Sequence, residues 1–204
     1  MNTLLLPASP EENILQAVAV LRRGGLVAFP TDTVYGLGAL AFNEAAVLGI
    51  YEAKARPRDK SIPVLLSSAA EIDQVAARVG EKARRLAHRF WPGPLTLVVP
   101  KNERVPDVVG RLTVGIRVPD HPIARLLLEL AGPLAVTSAN LSGRQSPITA
   151  AEVIQQMDGR VDIVLDGGMA FGGVPSTVLD CTTDQLAMLR PGPLAFQELI
   201  AALE

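Results

Sequence analysis

Leu26-Val27-Ala28-Phe29-Pro30-Thr31-Asp32-Thr33-Val34-Tyr35-Gly36-Leu37-Gly38 runs from a short apolar block directly into a polar loop that carries two glycines. An apolar run of this length, bounded by glycine and proline, reads as a buried strand. The loop behind it then falls at the carboxyl end of that strand, where open α/β sheets place their ligands. Gly36-x-Gly38-x-x-Ala41 matches the dinucleotide-binding fingerprint by letter. Its context fails, because a polar turn separates it from the strand and Lys54 and Arg56 stand where a ribose-binding acid belongs. The plainer reading is a tight turn with a Thr–Asp side-chain network.

Outward from this stretch, helical and strand-like segments alternate. Ser9-Pro10-Glu11-Glu12, Ser68-Ala69-Ala70-Glu71 and Thr149-Ala150-Ala151-Glu152 each carry the S/T-x-x-E capping box. The first predicts a helix with Ile14, Ala17, Val18 and Leu21 on one face, ended by Gly24-Gly25. A second helix is predicted from Asn43 to about Ala55, with Val47, Ile50 and Tyr51 inward, followed by a strand over Ile62–Leu66. Further helices are expected near 69–76, 80–89, 122–131, 150–157 and 194–203. Strands are expected near 95–99, 113–118, 134–137, 161–165, 177–181 and 186–190. Helices alternating with apolar strands give an α/β (α+β-like) sheet, and the adjacent strands near the end make it mixed. No linker divides the chain, so one domain over 1–204 is expected.

Composition narrows the function. Hydrophobic residues make up 49% of the 204, enough for a sizeable core, while the net charge of −2 lacks the basic footprint of a dedicated nucleic-acid protein. One cysteine, Cys181, allows neither an internal disulfide nor a zinc cluster. The start has no basic n-region, and no apolar run is long enough to span a bilayer, so a cytoplasmic protein without a membrane partner is expected.

Candidate chemistry gathers in loops. Lys54-Ala55-Arg56-Pro57-Arg58-Asp59-Lys60 holds four cations in seven residues. The helix dipole favours cations at a carboxyl terminus, which accounts for one or two of them. Lys54, however, falls on the inward stripe with Val47 and Ile50, where an unpaired ammonium is costly. A partner is required, and an anionic substrate would serve; at this point the two readings are even. Thr137-Ser138-Ala139-Asn140-Leu141-Ser142-Gly143 sets small donors at a strand end, suited to a phosphate, a carboxylate or an ordinary turn. Gly172–Thr177 and Leu189–Pro193 are similar, with Arg190 ending a strand. No phosphate-binding P-loop, metal-ligand spacing, catalytic triad or carboxylate pair is found. His88 and His121 have no ligand partners in sequence, and Cys181 reads as a small buried hydrophobe.

Taken in order, these segments resemble the YrdC-type threonylcarbamoyl-AMP synthase family in its short, single-domain form. The resemblance is carried by AFPTDTVYGLG at 28–38, KARP at 54–57, WPGPLTLV at 91–98 and IRVPDHP at 116–122. SANLSG at 138–143, PSTVLD at 175–180 and LRPGP at 189–193 complete it. It implies a twisted mixed sheet flanked by helices, with a large, locally basic cavity. It implies formation of L-threonylcarbamoyl-adenylate and pyrophosphate from L-threonine, bicarbonate and ATP, and transfer of the product to tRNA by a separate enzyme. By similarity Thr31, Thr33 and Arg117 would hold threonine. Lys54, Arg56, Ser138 and Asn140 would carry the chemistry at the nucleotide, with Lys60, Thr113, Ser146, Ser176, Thr177 and Arg190 completing its site. ATP would enter as a substrate with Mg²⁺ on its phosphates, and no protein metal site is expected. The competing expectation is a double-stranded RNA or ribosome-binding module using the 54–60 cations, or a weak RNA contact beside the enzyme activity.

Overall fold

The structure is a computed structural model that describes residues 2–204. The apolar run of the opening stretch forms strand β2 (Val27–Phe29), completely buried. Pro30 has no N–H to continue the ladder, and the chain turns through Thr31–Tyr35. It returns as β3 (Gly36–Leu40), antiparallel to β2 with Phe29 opposite Gly36. The residues Gly36-Leu37-Gly38, expected in a loop, are therefore a strand. Two glycines hide its alternation, and their missing side chains are replaced by neighbours. A Cβ on Gly38 would lie 3.0 Å from the Phe29 ring and 3.3 Å from a Val136 methyl.

The remaining strands are β1 (Leu4–Pro7), β4 (Val64–Leu65), β5 (Leu95–Pro100), β6 (Thr113–Arg117), β7 (Leu134–Ser138), β8 (Ile163–Asp166), β9 (Thr177–Asp180) and β10 (Ala187–Arg190). The helices are α1 (Glu11–Arg22), α2 (Glu44–Lys54), α3 (Glu81–Phe90), α4 (Pro122–Ala131), α5 (Ala150–Met157) and α6 (Phe196–Ala201). All ten strands join one mixed sheet in the order β1-β8-β2-β3-β7-β4-β6-β5-β9-β10. Pairings β1/β8, β2/β8, β4/β6 and β5/β9 are parallel, and the others antiparallel.

Some local expectations change. Strand β1 adds to the expected set; it lies at the sheet edge, where Leu4 and Leu5 stay 43% and 48% exposed and show no buried pattern. The strand over Ile62–Leu66 shrinks to two residues, since Pro63 cannot donate to a ladder. Of the three capping boxes only Thr149 caps its helix, its hydroxyl accepting from Glu152 N at 3.2 Å. Pro10, not Ser9, stands at the cap of α1. The segment 69–76 is a 3-10 helix over Ala69–Gln74, and Glu71 reaches back to Ser67 N.

Period-two alternation divides the buried residues between the two faces. One face carries Ala28, Leu37, Ala135, Val64, Ile116, Leu97 and Leu179 under α2, α3, α5 and α6. The other carries Phe29, Val136, Leu134, Leu65 and Leu165 under α1 and α4. Those two helices cover the β8, β2 and β3 side of their face, and from the Gly36, Val136 and Leu65 positions across β6, β5, β9 and β10 that face opens into a cavity. Among the described residues no helix is long and apolar enough to cross a membrane.

Candidate functional site: a cation-lined cavity on the open half of the sheet

The cavity encloses about 390 Å³. Its floor is made by residues that alternate with the core of the covered face: Gly36, Thr96, Val98, Thr113, Gly115 and Val178. They are small because the floor must stay flat. A Cβ on Gly115 would sit 3.1 Å from the Thr96 methyl and 3.3 Å from Pro63. Around the rim stand three guanidinium groups, Arg56, Arg117 and Arg190, each delivered by the end of a helix or strand.

At one end Arg117 closes β6 and is 5% exposed. Its Nη2 donates to Asp32 Oδ1 at 2.5 Å, its Nη1 to Thr33 Oγ1 at 3.0 Å and its Nε to the Gly93 carbonyl at 2.9 Å. Burial works against its charge and the Asp32 carboxylate works for it. A guanidinium has five N–H groups, so donors remain for a ligand. Thr31 and Thr33 are both buried, their hydroxyls 3.0 Å apart, and Thr31 Oγ1 donates to the Val34 carbonyl at 2.7 Å. The expected Thr–Asp network takes another form: the two hydroxyls meet each other, Asp32 accepts from Arg117 and from Asp120 N at 3.1 Å, and Arg117 links it to Thr33. Segment 167–176 presses on this turn: a Cβ on Gly172 would fall 2.5 Å from the Asp32 carbonyl oxygen. Tyr35 pins the same segment through its hydroxyl, which donates to the Gly168 carbonyl at 2.6 Å; burial pushes that phenol up to about 12.

At the other end Arg190 donates through Nε and Nη2 to the Ser176 carbonyl, at 3.0 and 2.7 Å, and through Nη2 to Ser176 Oγ at 3.0 Å. Ser176 Oγ in turn meets Thr96 Oγ1 at 2.8 Å. Burial first, then the cations Arg117 and Arg56, disfavour the charge on Arg190. Arg190 thus feels both other cations across a space whose lining contains no carboxylate. Such an arrangement attracts anions.

Arg56 reaches the cavity because Ala55 adopts the left-handed conformation, φ 49°. It is held by the Lys60 and Ser61 carbonyls at 3.1 and 2.8 Å. Lys54, two residues earlier, goes elsewhere. It is 1% exposed, lies outside the lining, and its Nζ donates to the carbonyls of Ser138 and Asn140. Burial and the neighbouring Arg56 pull its ammonium down to about 7. The partner its inward position demanded is a pair of backbone carbonyls.

Of the residues singled out in the sequence, Thr31, Thr33, Arg56, Thr113, Arg117, Ser138, Ser176 and Arg190 line the cavity. Lys54, Lys60, Asn140, Ser146 and Thr177 do not. Thr177 is fully buried and exchanges two hydrogen bonds with Leu194, both at 3.0 Å. Asn140 Nδ2 staples its own loop to the Leu141 and Arg144 carbonyls at 2.7 and 2.8 Å, and Lys60 is exposed. Thr96 and Gly115 were missed, since a threonine or glycine inside an apolar strand reads as core. Among the described residues no three His, Cys, Asp or Glu side chains gather as a metal site. Cys181 is buried, its thiol pushed up to about 12 by burial and then Asp180, which keeps it a thiol.

Comparison with known proteins places the whole chain among relatives of the same fold. A family profile covering Sua5, YciO and YrdC, described as "Telomere recombination", matches residues 19–192. A threonylcarbamoyl-AMP synthase of Pyrococcus abyssi is 47% identical over 192 residues, spanning 93% of this chain and 56% of the relative. The chain is therefore only a little over half as long as that protein. A putative threonylcarbamoyl-AMP synthase of Mycobacterium tuberculosis is 39% identical over 201 residues, with 96% of this chain and 93% of the relative aligned. The crystal structure of P. abyssi Sua5 complexed with L-threonine superposes with a TM-score of 0.94 at 44% identity, covering 100% of this chain and 61% of that one. With the profile spanning most of the chain and a relative matched over nearly its whole length, this protein belongs to the Sua5/YciO/YrdC family.

Proposed function

We propose that this chain is an L-threonylcarbamoyladenylate synthase. The observation that carries the reading is one cavity with three guanidinium groups and many hydroxyls but no carboxylate in its lining. Relatives in the same family bear the synthase name, and one was crystallised with L-threonine.

In this reading threonine lies at the Arg117 end, its carboxylate on the free guanidinium donors and its polar groups near Thr31 and Thr33. Bicarbonate and the threonine amine condense to a carbamate with loss of water. A carbamate oxygen then attacks the α-phosphorus of ATP; the new O–P bond forms as the α–β bridge breaks, and pyrophosphate leaves with the electron pair. A carbamate is already anionic, so no side-chain base is needed for that attack. What the site must supply is alignment and relief of repulsion between two anions, the main contributions to phosphoryl-type transfer. Arg56 and Arg190 would neutralise the phosphates, while Thr113, Ser138 and Ser176 would donate hydrogen bonds to the nucleotide. Lys60 and Ser146, off the lining, would be peripheral contacts. The lining offers no carboxylate for Mg²⁺, so the ion would travel on the triphosphate and be held by its oxygens. The product would pass to a separate transferase that modifies tRNA.

Pyrophosphate release measured with and without L-threonine and bicarbonate tests the assignment. Release should require both additions. Release indifferent to both would sink the synthase reading, and tight, salt-sensitive binding of double-stranded RNA without turnover would replace it with an RNA-binding role.

A further inference from the structure

The Lys54-x-Arg56 pair divides its labour. Ala55 between them holds a positive φ of 49°, and among the described residues it is the one non-glycine residue to do so. That reversal sends the two flanking cations in different directions. Arg56 lies in the cavity lining, while Lys54 runs back under the loop that follows β7.

There the contacts are reciprocal. Lys54 Nζ donates to the carbonyls of Ser138 and Asn140, and the Lys54 carbonyl accepts from Ser142 N at 2.9 Å. The loop is also tied to the cavity turn, because Ala139 N donates to the Tyr35 carbonyl at 2.8 Å. Asn140 fastens the same loop from within. Among the described residues Lys54 is thus the one side chain that spans from helix α2 to two carbonyls of the loop bearing Ser138, which lines the cavity. A lysine that served as a phosphate ligand would need its ammonium at the lining, and this one is 1% exposed.

We infer that Lys54 is a positioning residue: its amine clamps the 138–142 loop and so fixes Ser138 and the α2 terminus that aims Arg56, without touching the nucleotide. A neutral amine keeps two N–H groups, one for each carbonyl. The clamp therefore survives loss of the proton, which suits an ammonium pulled down to about 7.

The inference rests on the synthase reading only for the ligand named in its second measurement. The first is hydrogen exchange on ligand-free Lys54→Met, which has similar bulk and no donor. Amides of 138–142 should exchange at least tenfold faster than in the parent, with the rest of the molecule unchanged. Unchanged exchange in that loop overturns the clamp. The second is the side-chain amine resonance of Lys54 in the parent protein, which should stay in place when ATP saturates the protein, because the amine meets only carbonyls. A large shift of that resonance identifies Lys54 as a direct phosphate ligand and overturns the inference. If Lys54→Met does not fold, the resonance alone decides. A parent protein that binds no ATP at all defeats the synthase reading while leaving the exchange result standing.

Discussion

Arg56 and Arg117 are both cavity arginines, yet their surroundings set different consequences for losing them. Arg56 donates to the Lys60 and Ser61 carbonyls near the surface and has no buried ion pair among the described residues. Removing one well-placed donor at a site of developing charge typically costs about 10²–10³ in turnover. Arg56→Ala should therefore lose turnover on that scale with its melting temperature nearly unchanged, and a folded variant with near-normal pyrophosphate release would remove Arg56 from the mechanism. Arg117 and Asp32 form a buried pair, with side chains 6% and 15% exposed. Asp32→Asn would leave the guanidinium without its countercharge, and breaking a buried pair from one side costs roughly 3–5 kcal/mol. Urea unfolding should show most of that loss; a change below about 1 kcal/mol would mean the pair is solvated in solution. Lys54 offers a test in pH. Its ammonium is pulled down from 10.5 to about 7 by burial and then Arg56. Below the folded value both states hold the proton and the cost of burying charge is fully present. Between the two values the unfolded chain keeps the proton that the fold has released, so stability rises with pH, by at most about 1.4 kcal/mol per unit. Unfolding free energies of the parent should climb relative to Lys54→Met from pH 7 towards pH 10, and parallel curves would show that the amine titrates normally.

At the scale of elements, the ends of β9 and β10 come together through a close approach that only glycine permits. A Cβ on Gly192 would lie 2.3 Å from Thr177 N and 2.7 Å from the Ser176 carbonyl carbon, both backbone atoms that cannot step aside cheaply. Gly192→Ala should cost about 1–3 kcal/mol by overpacking and pull Arg190 off Ser176. Thermal unfolding and ATP affinity should fall together in this variant. An unchanged affinity would mean that Arg190 does not need its anchor. The sequence carried the elements themselves well where a pattern existed: β2, α2 and α4 are where their apolar runs and caps put them. It failed where the pattern is chemically silent. Two glycines in β3 leave no alternation, and β1 is a half-exposed edge. The site shows the same division. Arg56 and Arg190 stand out as charge beside proline, whereas Arg117, between Ile116 and Val118, comes only from the family resemblance. Thr96 cannot be told from core until the register opposite Val178 places it beside Ser176. The inward stripe of α2 did announce that Lys54 needed a partner, but periodicity could not say whether that partner was a substrate or a carbonyl.

The whole molecule explains why a cavity exists here at all. Ten strands make a sheet too broad for α1 and α4 to cover on their face, and the uncovered half is surfaced with glycine, threonine and arginine. Arg56 and Arg190 face a shared space with no carboxylate in its lining, and burial together with Arg117 and Arg56 disfavours the charge on Arg190, so the unliganded fold carries an electrostatic cost at that end of the cavity. A bound polyanion removes that cost while adding its own contacts, and binding to the folded state alone raises stability as the logarithm of ligand excess. At a hundredfold excess over the dissociation constant the gain is about 2.7 kcal/mol. For a domain of this size each kcal/mol moves the midpoint by roughly 2–4 °C. ATP at that excess should thus raise the melting temperature by about 5–11 °C. The rise should shrink in Arg56→Ala and in Arg190→Ala, which lose the cations proposed to meet the phosphates, and persist in Arg85→Ala on the outer face of α3. A midpoint that ignores saturating ATP, or one that falls equally in all three variants, would mean that the cations of the open half do not form a nucleotide site.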